Sequence, residues 1–80
     1  MIPLYGFLSG DTIGLLILAR PEDTMETLAG RLQTSAAVRV PRRDRVAVVY
    51  RGRHVDPRMT VAHSGMTALD RFDVVPVAAD

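Results

Sequence analysis

One stretch of this chain, and no other of comparable length, repeats its apolar residues at helical spacing. Met25, Leu28, Ala29 and Leu32 fall on a single stripe, while the segments around it read as short extended runs between turn residues. A single amphipathic helix has one apolar face to hide, so the chain must lay it across one face of a sheet. With 80 residues there is room for one core and one domain, spanning 1–80. A chain of this size buries roughly 60–65% of the surface it exposes when unfolded, so a deep substrate pocket would hollow out its only core.

The strands follow from composition and turn chemistry. Pro3 to Leu8 is extended, Ser9-Gly10-Asp11 turns, and Thr12 to Leu18 forms the second arm of a hairpin. Arg20-Pro21-Glu22 breaks that strand. Asp23 caps the helix, with Glu26 completing a capping box, and the helix fades at Thr34-Ser35. Gly30 inside it costs about 1 kcal/mol relative to alanine, which close approach to the sheet would offset. After a basic loop from Arg39 to Arg45 come a strand at Val46–Tyr50, a turn at Arg51-Gly52 and a short strand at Arg53–Val55. Thr60 to His63 suits one helical turn, stopped at Ser64-Gly65. Arg71 to Val75 is the last strand, and pairing is expected to end at Pro76. A right-handed crossover then sets the last strand beside the first. The predicted class is α+β: a β-grasp with a mixed sheet of four to five strands and one main helix on one face.

Composition removes several functions. There is no cysteine, so neither a disulfide framework nor a thiolate metal site is available. Ten arginines oppose nine acids, which argues against nucleic acid or membrane as partner. Met1-Ile2-Pro3 lacks the basic start of a secretory signal, and the apolar run Ile13–Ala19 is too short to span a bilayer. The expected location is the cytoplasm. Lysine is absent, a bias that genomic base composition explains, although arginine also suits protein interfaces through its planar fork.

No catalytic constellation emerges either. A carboxylate-bridged diiron site needs four carboxylates and two Glu-x-x-His pairs on facing helices, and this chain has two glutamates, one long helix and no such pair. His54 and His63 lie in different elements without ligands at matching spacing, so half-buried or surface histidines are expected. Ser9-Gly10-Asp11 lacks the lysine and following helix of a phosphate loop, and Ser64-Gly65 lacks the strand–turn–helix context of a nucleophile elbow. Catalytic, cofactor and metal residues are therefore all expected to be absent, and no small-molecule substrate is expected to bind directly.

The segments Leu8–Ile13, Asp23-Thr24-Met25, and Tyr50-Arg51-Gly52-Arg53 through Thr60-Val61-Ala62 resemble ubiquitin over nearly the whole chain. A narrower resemblance rests on Pro3 to Met25, on Arg39-Val40-Pro41-Arg42, and on Pro57-Arg58-Met59-Thr60-Val61-Ala62-His63-Ser64-Gly65-Met66 with Phe72-Asp73-Val74-Val75. These are similar to the small B protein, the γ subunit, of the hydroxylase in multicomponent bacterial toluene monooxygenases. The chain departs from that pattern by lacking a residue between Arg58 and Met59 and by placing His63 at an acidic position. The resemblance implies a non-catalytic subunit of an NADH-dependent system for oxidising aromatic hydrocarbons. Its partners would be the hydroxylase α and β subunits, with two copies of each, and the diiron centre would lie in α.

Two surfaces are expected to serve such a partner. If alternation points Ile13, Leu15 and Ile17 at the helix, then Leu16 and Leu18 face outward, and by the same parity so do Leu4, Leu8, Val49 and Val75. A contiguous apolar patch on so small a protein marks an interaction site; the alternative is scattered aliphatics without meaning. The second surface is the loop of Arg39, Arg42, Arg43 and Arg45, which would either meet an acidic patch, chiefly through Arg42 and Arg43, or stand solvated. A stand-alone ubiquitin-like accessory of another complex, such as a secretion system, fits the same fold and face. A covalent modifier does not fit, because the chain ends Val77-Ala78-Ala79-Asp80 rather than Gly-Gly.

Overall fold

Alternate residues of the first strand, Leu4, Gly6 and Leu8, turn inward and are buried, and around them the rest of the molecule assembles. The computed structural model describes residues 1–78. Its elements run β1 (Ile2–Leu8), β2 (Gly14–Ala19), α1 (Met25–Ser35), β3 (Val46–Tyr50), β4 (Arg53–Val55), α2 (Val61–Ser64) and β5 (Arg71–Pro76). The sheet has five strands in the order β2-β1-β5-β3-β4, with β1 and β5 parallel and the other pairs antiparallel. That is the expected mixed β-grasp sheet. The Ala79-Asp80 end of the tail, read above for a conjugation signal, lies outside the described residues.

Helix α1 presents Met25, Leu28, Ala29 and Leu32 to the sheet, as its stripe predicts, and all four are buried. They meet Leu4, Leu8, Ile17, Val48, Phe72 and Val74 in one core cluster. The close approach is at Gly6, not at Gly30. A Cβ on Gly6 would stand 2.9 Å from the Phe72 ring and 3.0 Å from both Leu32 methyls, whereas one on Gly30 would meet only the end of Arg42, at 3.6 Å. Gly6 is thus a packing requirement, and Gly30 is a helix interruption that the sheet does not repay.

The start of α1 also differs from expectation by one residue. Thr24 is the N-cap, its hydroxyl accepting from the Thr27 amide at 3.2 Å. Asp23 is already committed: its carboxylate accepts from the Arg20 amide at 2.8 Å and from Arg31 Nη1 at 2.7 Å. The amides of Met25 and Glu26, which have no partner inside the helix, donate to the carbonyls of Met59 and Pro57, each at 2.9 Å. In return the Val61 amide donates to the Asp23 carbonyl at 2.8 Å, and Thr24 and Thr60 form an isolated bridge. Each N-cap threonine therefore sits against the other helix's start. Gly65, in the left-handed region at φ 82°, ends α2 where expected.

Two boundaries move. β2 begins at Gly14 rather than Thr12, because Ser9 to Ile13 form a wider turn in which Asp11 accepts from the Thr12 amide. Ile13 consequently stands exposed instead of facing the helix. Pairing also runs one step past Pro76, since the Val77 amide donates to the Arg45 carbonyl at 3.1 Å. Pro3 is tolerated in a central strand because its nitrogen faces the β5 side before β5 begins to pair, at Tyr5–Arg71.

These glycines make a paired prediction. Gly6→Ala should lose about 1–3 kcal/mol through overpacking against Phe72 and Leu32. Gly30→Ala should gain up to about 1 kcal/mol from helix propensity. Urea unfolding of both variants checks the signs; equal destabilisation would show that Gly30 also needs its missing Cβ.

Candidate partner-binding face

The outer face of the sheet, opposite α1, carries Pro3, Tyr5 and Phe7 from β1, Leu16 and Leu18 from β2, Arg71, Asp73 and Val75 from β5, and Ala47 and Val49 from β3. Leu16 and Leu18 are 55% and 52% exposed and Tyr5 is 43% exposed, while Val49 and Val75 are half-buried. Cross-strand pairing sets Tyr5 against Leu16 and Pro3 against Leu18, so these four form a continuous apolar strip at the β2 side.

Leu4 and Leu8 do not belong to this face. They are 0% and 3% exposed and lie in the core, so the expectation that placed them outside is corrected. The pairs Leu4–Ile17 and Gly6–Leu15 put the even-numbered residues of β1 on the inner side with Leu15 and Ile17. A slip of one residue in the assumed pairing inverts the whole strand, and Tyr5 is the residue that the inverted parity hid. The signal that could have found it was Gly6, whose missing side chain marks the side facing the helix.

Nor is the outer face uniformly apolar. Arg71 and Asp73 cross its middle as an ion pair at 2.9 Å, and the Arg71 guanidinium lies 4.0 Å above the centroid of the Phe7 ring. Phe7 in turn covers Gly14, where a Cβ would stand 2.5 Å from the ring. This charged bar separates the strip of Pro3, Tyr5, Leu16 and Leu18 from the half-buried Ala47, Val49 and Val75.

Two of the four loop arginines, Arg39 and Arg43, are engaged within the molecule, while Arg42 and Arg45 are exposed. Arg39 grips Asp11 with two nitrogens, at 2.9 and 3.0 Å. Arg43 donates from Nη1 to the Ser9 carbonyl at 2.8 Å, and its backbone is held at both ends by the buried Gln33, whose Oε1 accepts from the Arg43 amide and whose Nε2 donates to the Arg43 carbonyl. These bonds fasten the loop to the β1–β2 turn and to α1, a role that neither sequence reading anticipated. Among the described residues Arg42 reaches only the Thr34 hydroxyl, at 3.2 Å, and it is exposed. The two proposed partner arginines therefore divide: Arg42 keeps an uncompensated charge, and Arg43 is a brace.

Electrostatics follow the same internal economy. The Arg39 hydrogen bond holds the Asp11 carboxyl below its ordinary value of 3.8. Asp23 is lowered by the Arg20 amide and then by Arg31, and Asp70 by the Thr67 amide and then by the Tyr50 hydroxyl. Tyr50, donating to Asp70 at 2.6 Å, is raised above the usual 10.0 of a phenol. None of these groups is clustered for chemistry. Among the described residues no three His, Cys, Asp or Glu side chains come together as a metal site, and His63 does no more than meet the Thr60 hydroxyl at 3.1 Å. The residues present do not fit a diiron centre. Among the described residues no helix is long and apolar enough to cross a membrane.

The family model for toluene-4-monooxygenase system protein B (TmoB) matches residues 1–75. The chain belongs to that family. A chain from a toluene 4-monooxygenase complex with the inhibitor 4-bromobenzoate superposes with a TM-score of 0.87 at 22% identity, covering 95% of this chain and 98% of that one. Caldiarchaeum subterraneum ubiquitin superposes with a TM-score of 0.77 at 16% identity, over 98% of this chain and 95% of that one. At these identities both show a shared fold: this chain has the ubiquitin-like β-grasp fold that its sequence suggests. No curated protein matches the chain.

The lowered carboxyls predict acid sensitivity. Because Asp11, Asp23 and Asp70 bind protons more weakly folded than unfolded, their contribution is complete above about pH 5 and is lost as pH falls through 3.8 toward the depressed values. Thermal unfolding followed between about pH 6 and 2 should show Tm dropping across that window. Asp11→Asn should start lower and fall less steeply; a curve parallel to the unsubstituted chain would remove Asp11 from the account.

Proposed function

We propose that this chain is the non-catalytic small subunit of the hydroxylase component of a diiron toluene-type monooxygenase, docking on its large α subunit and stabilising the assembly. The observation that carries the reading is the exposed strip of Tyr5, Leu16 and Leu18 on a chain that belongs to the TmoB family. A two-layer protein standing alone would set polar groups there. Support for assembly also comes from a structural neighbour solved as part of a toluene 4-monooxygenase complex.

In this reading the work is mechanical. The diiron centre and the aromatic substrate belong to the large subunit; this chain contributes apolar area and shape. Each buried leucine contributes roughly 1.5–3 kcal/mol. Tyr5→Asp combined with Leu18→Asp should weaken assembly about a hundredfold or more while leaving the chain folded, since both side chains already face solvent. Co-purification with the hydroxylase and circular dichroism of the free variant check both halves; undiminished co-purification would remove this face from the interface.

Omission gives the functional test. Hydroxylase produced without this chain should be recovered in lower yield and with a lower Tm, while the ring-oxidising rate per intact diiron centre changes less. A hydroxylase of normal yield and stability lacking the chain would refute the stabilising role.

A further inference from the structure

The two edges of the sheet are protected very differently. β4 is three residues long and carries Arg53 and His54, both of which deter a second chain from pairing there. β2 is six residues long, Gly-Leu-Leu-Ile-Leu-Ala, with no charge and no proline. The direction of its free groups follows from its neighbours. The Pro3 carbonyl and the Tyr5 amide of β1 are used on the β5 side, by the Leu69 amide and the Asp70 carbonyl. In an antiparallel ladder Leu16 and Leu18, which face Tyr5 and Pro3, must then turn their own N–H and C=O groups away from β1. Arg31 confirms the direction, since its Nη1 reaches round to the Leu18 carbonyl at 3.2 Å. That contact occupies one carbonyl and leaves the amides of Leu16 and Leu18 open.

We propose that this edge takes an extended, acidic segment of a partner chain as a sixth strand beside β2. This deepens the docking reading above and rests on it. Free alternating N–H and C=O groups call for a strand, because a helix has no backbone groups to offer them. The channel alongside, between β2 and α1, is lined by Thr27, Arg31, Thr34 and Arg42 and contains no carboxylate among the described residues. Arg31 pairs with Asp23, so the charge awaiting a partner is that of Arg42. A second copy of this chain is the poorer occupant: its own β2 is uncharged and would bring another Arg42 toward the first.

Hydrogen–deuterium exchange of the full chain, free and co-expressed in complex with the large hydroxylase subunits, tests this. Leu15 and Ile17, bonded to β1, should be slow in both states, whereas Leu16 and Leu18 should slow by about tenfold or more on assembly. Leu16→Pro removes the outward amide without touching the β1 ladder, and should weaken assembly about tenfold beyond Leu16→Ala. Arg42→Glu should weaken it as well. A complex in which the Leu16 amide exchanges as fast as in the free chain overturns the edge pairing and leaves docking standing. Failure of any complex to form overturns both. Slowing that grows with concentration of the free chain alone assigns the edge to a second copy and also overturns the proposal.

Discussion

A single eleven-residue helix must cover one face of a five-stranded sheet, and everything else in the molecule adjusts to that shortage. The helix can do so because it comes down onto Gly6, where Leu32 and Phe72 occupy the space that any other side chain would fill. A close-packed interior tolerates neither a gap nor an added methyl group at such a contact. With the helix fully engaged on one side, the opposite side has no layer of its own.

That uncovered side governs the functional reading. Its apolar strip at β2 and its Arg71–Asp73 bar give it two characters, and the strip is the part that water disfavours. The bar has a structural account of its own, because Arg71 stacks on Phe7 while Phe7 covers Gly14. Under the function proposed above, this strip is the part that a larger protein of the monooxygenase system covers. Two of the four arginines that suggested an acidic partner, Arg39 and Arg43, turn out to hold the molecule's own loops in place, and Arg42 and Arg45 are left as outward charges.

The order of elements was legible because period and punctuation agree: a helical stripe at Met25–Leu32, β-rich runs elsewhere, and glycines at Gly10, Gly52 and Gly65 that all take positive φ. Side-chain facing was less legible. Leu4 and Leu8 look no different from Leu16 and Leu18 in composition, and only the pairing register, which depends on the width of the Ser9–Ile13 turn, separates core from surface. The bracing by Gln33 and Arg43 was out of reach for a different reason. Such bonds join residues distant along the chain, and nothing local to either marks the other. Thr24 lost its role to Asp23 in the sequence reading because both are good caps, and the competing Arg31 pairing is tertiary.

The reciprocal fastening of the two helix starts has a consequence for how the chain is made. The first turn of α1 leaves the ribosome well before Pro57 and Met59, which supply its last backbone partners. Until they emerge the helix lacks its anchor and the β1–β2 arm lacks β5, so the nascent chain exposes its greasiest edge at the stage when it is least complete. Synthesis alongside a large subunit ready to cover that edge would shorten the vulnerable interval.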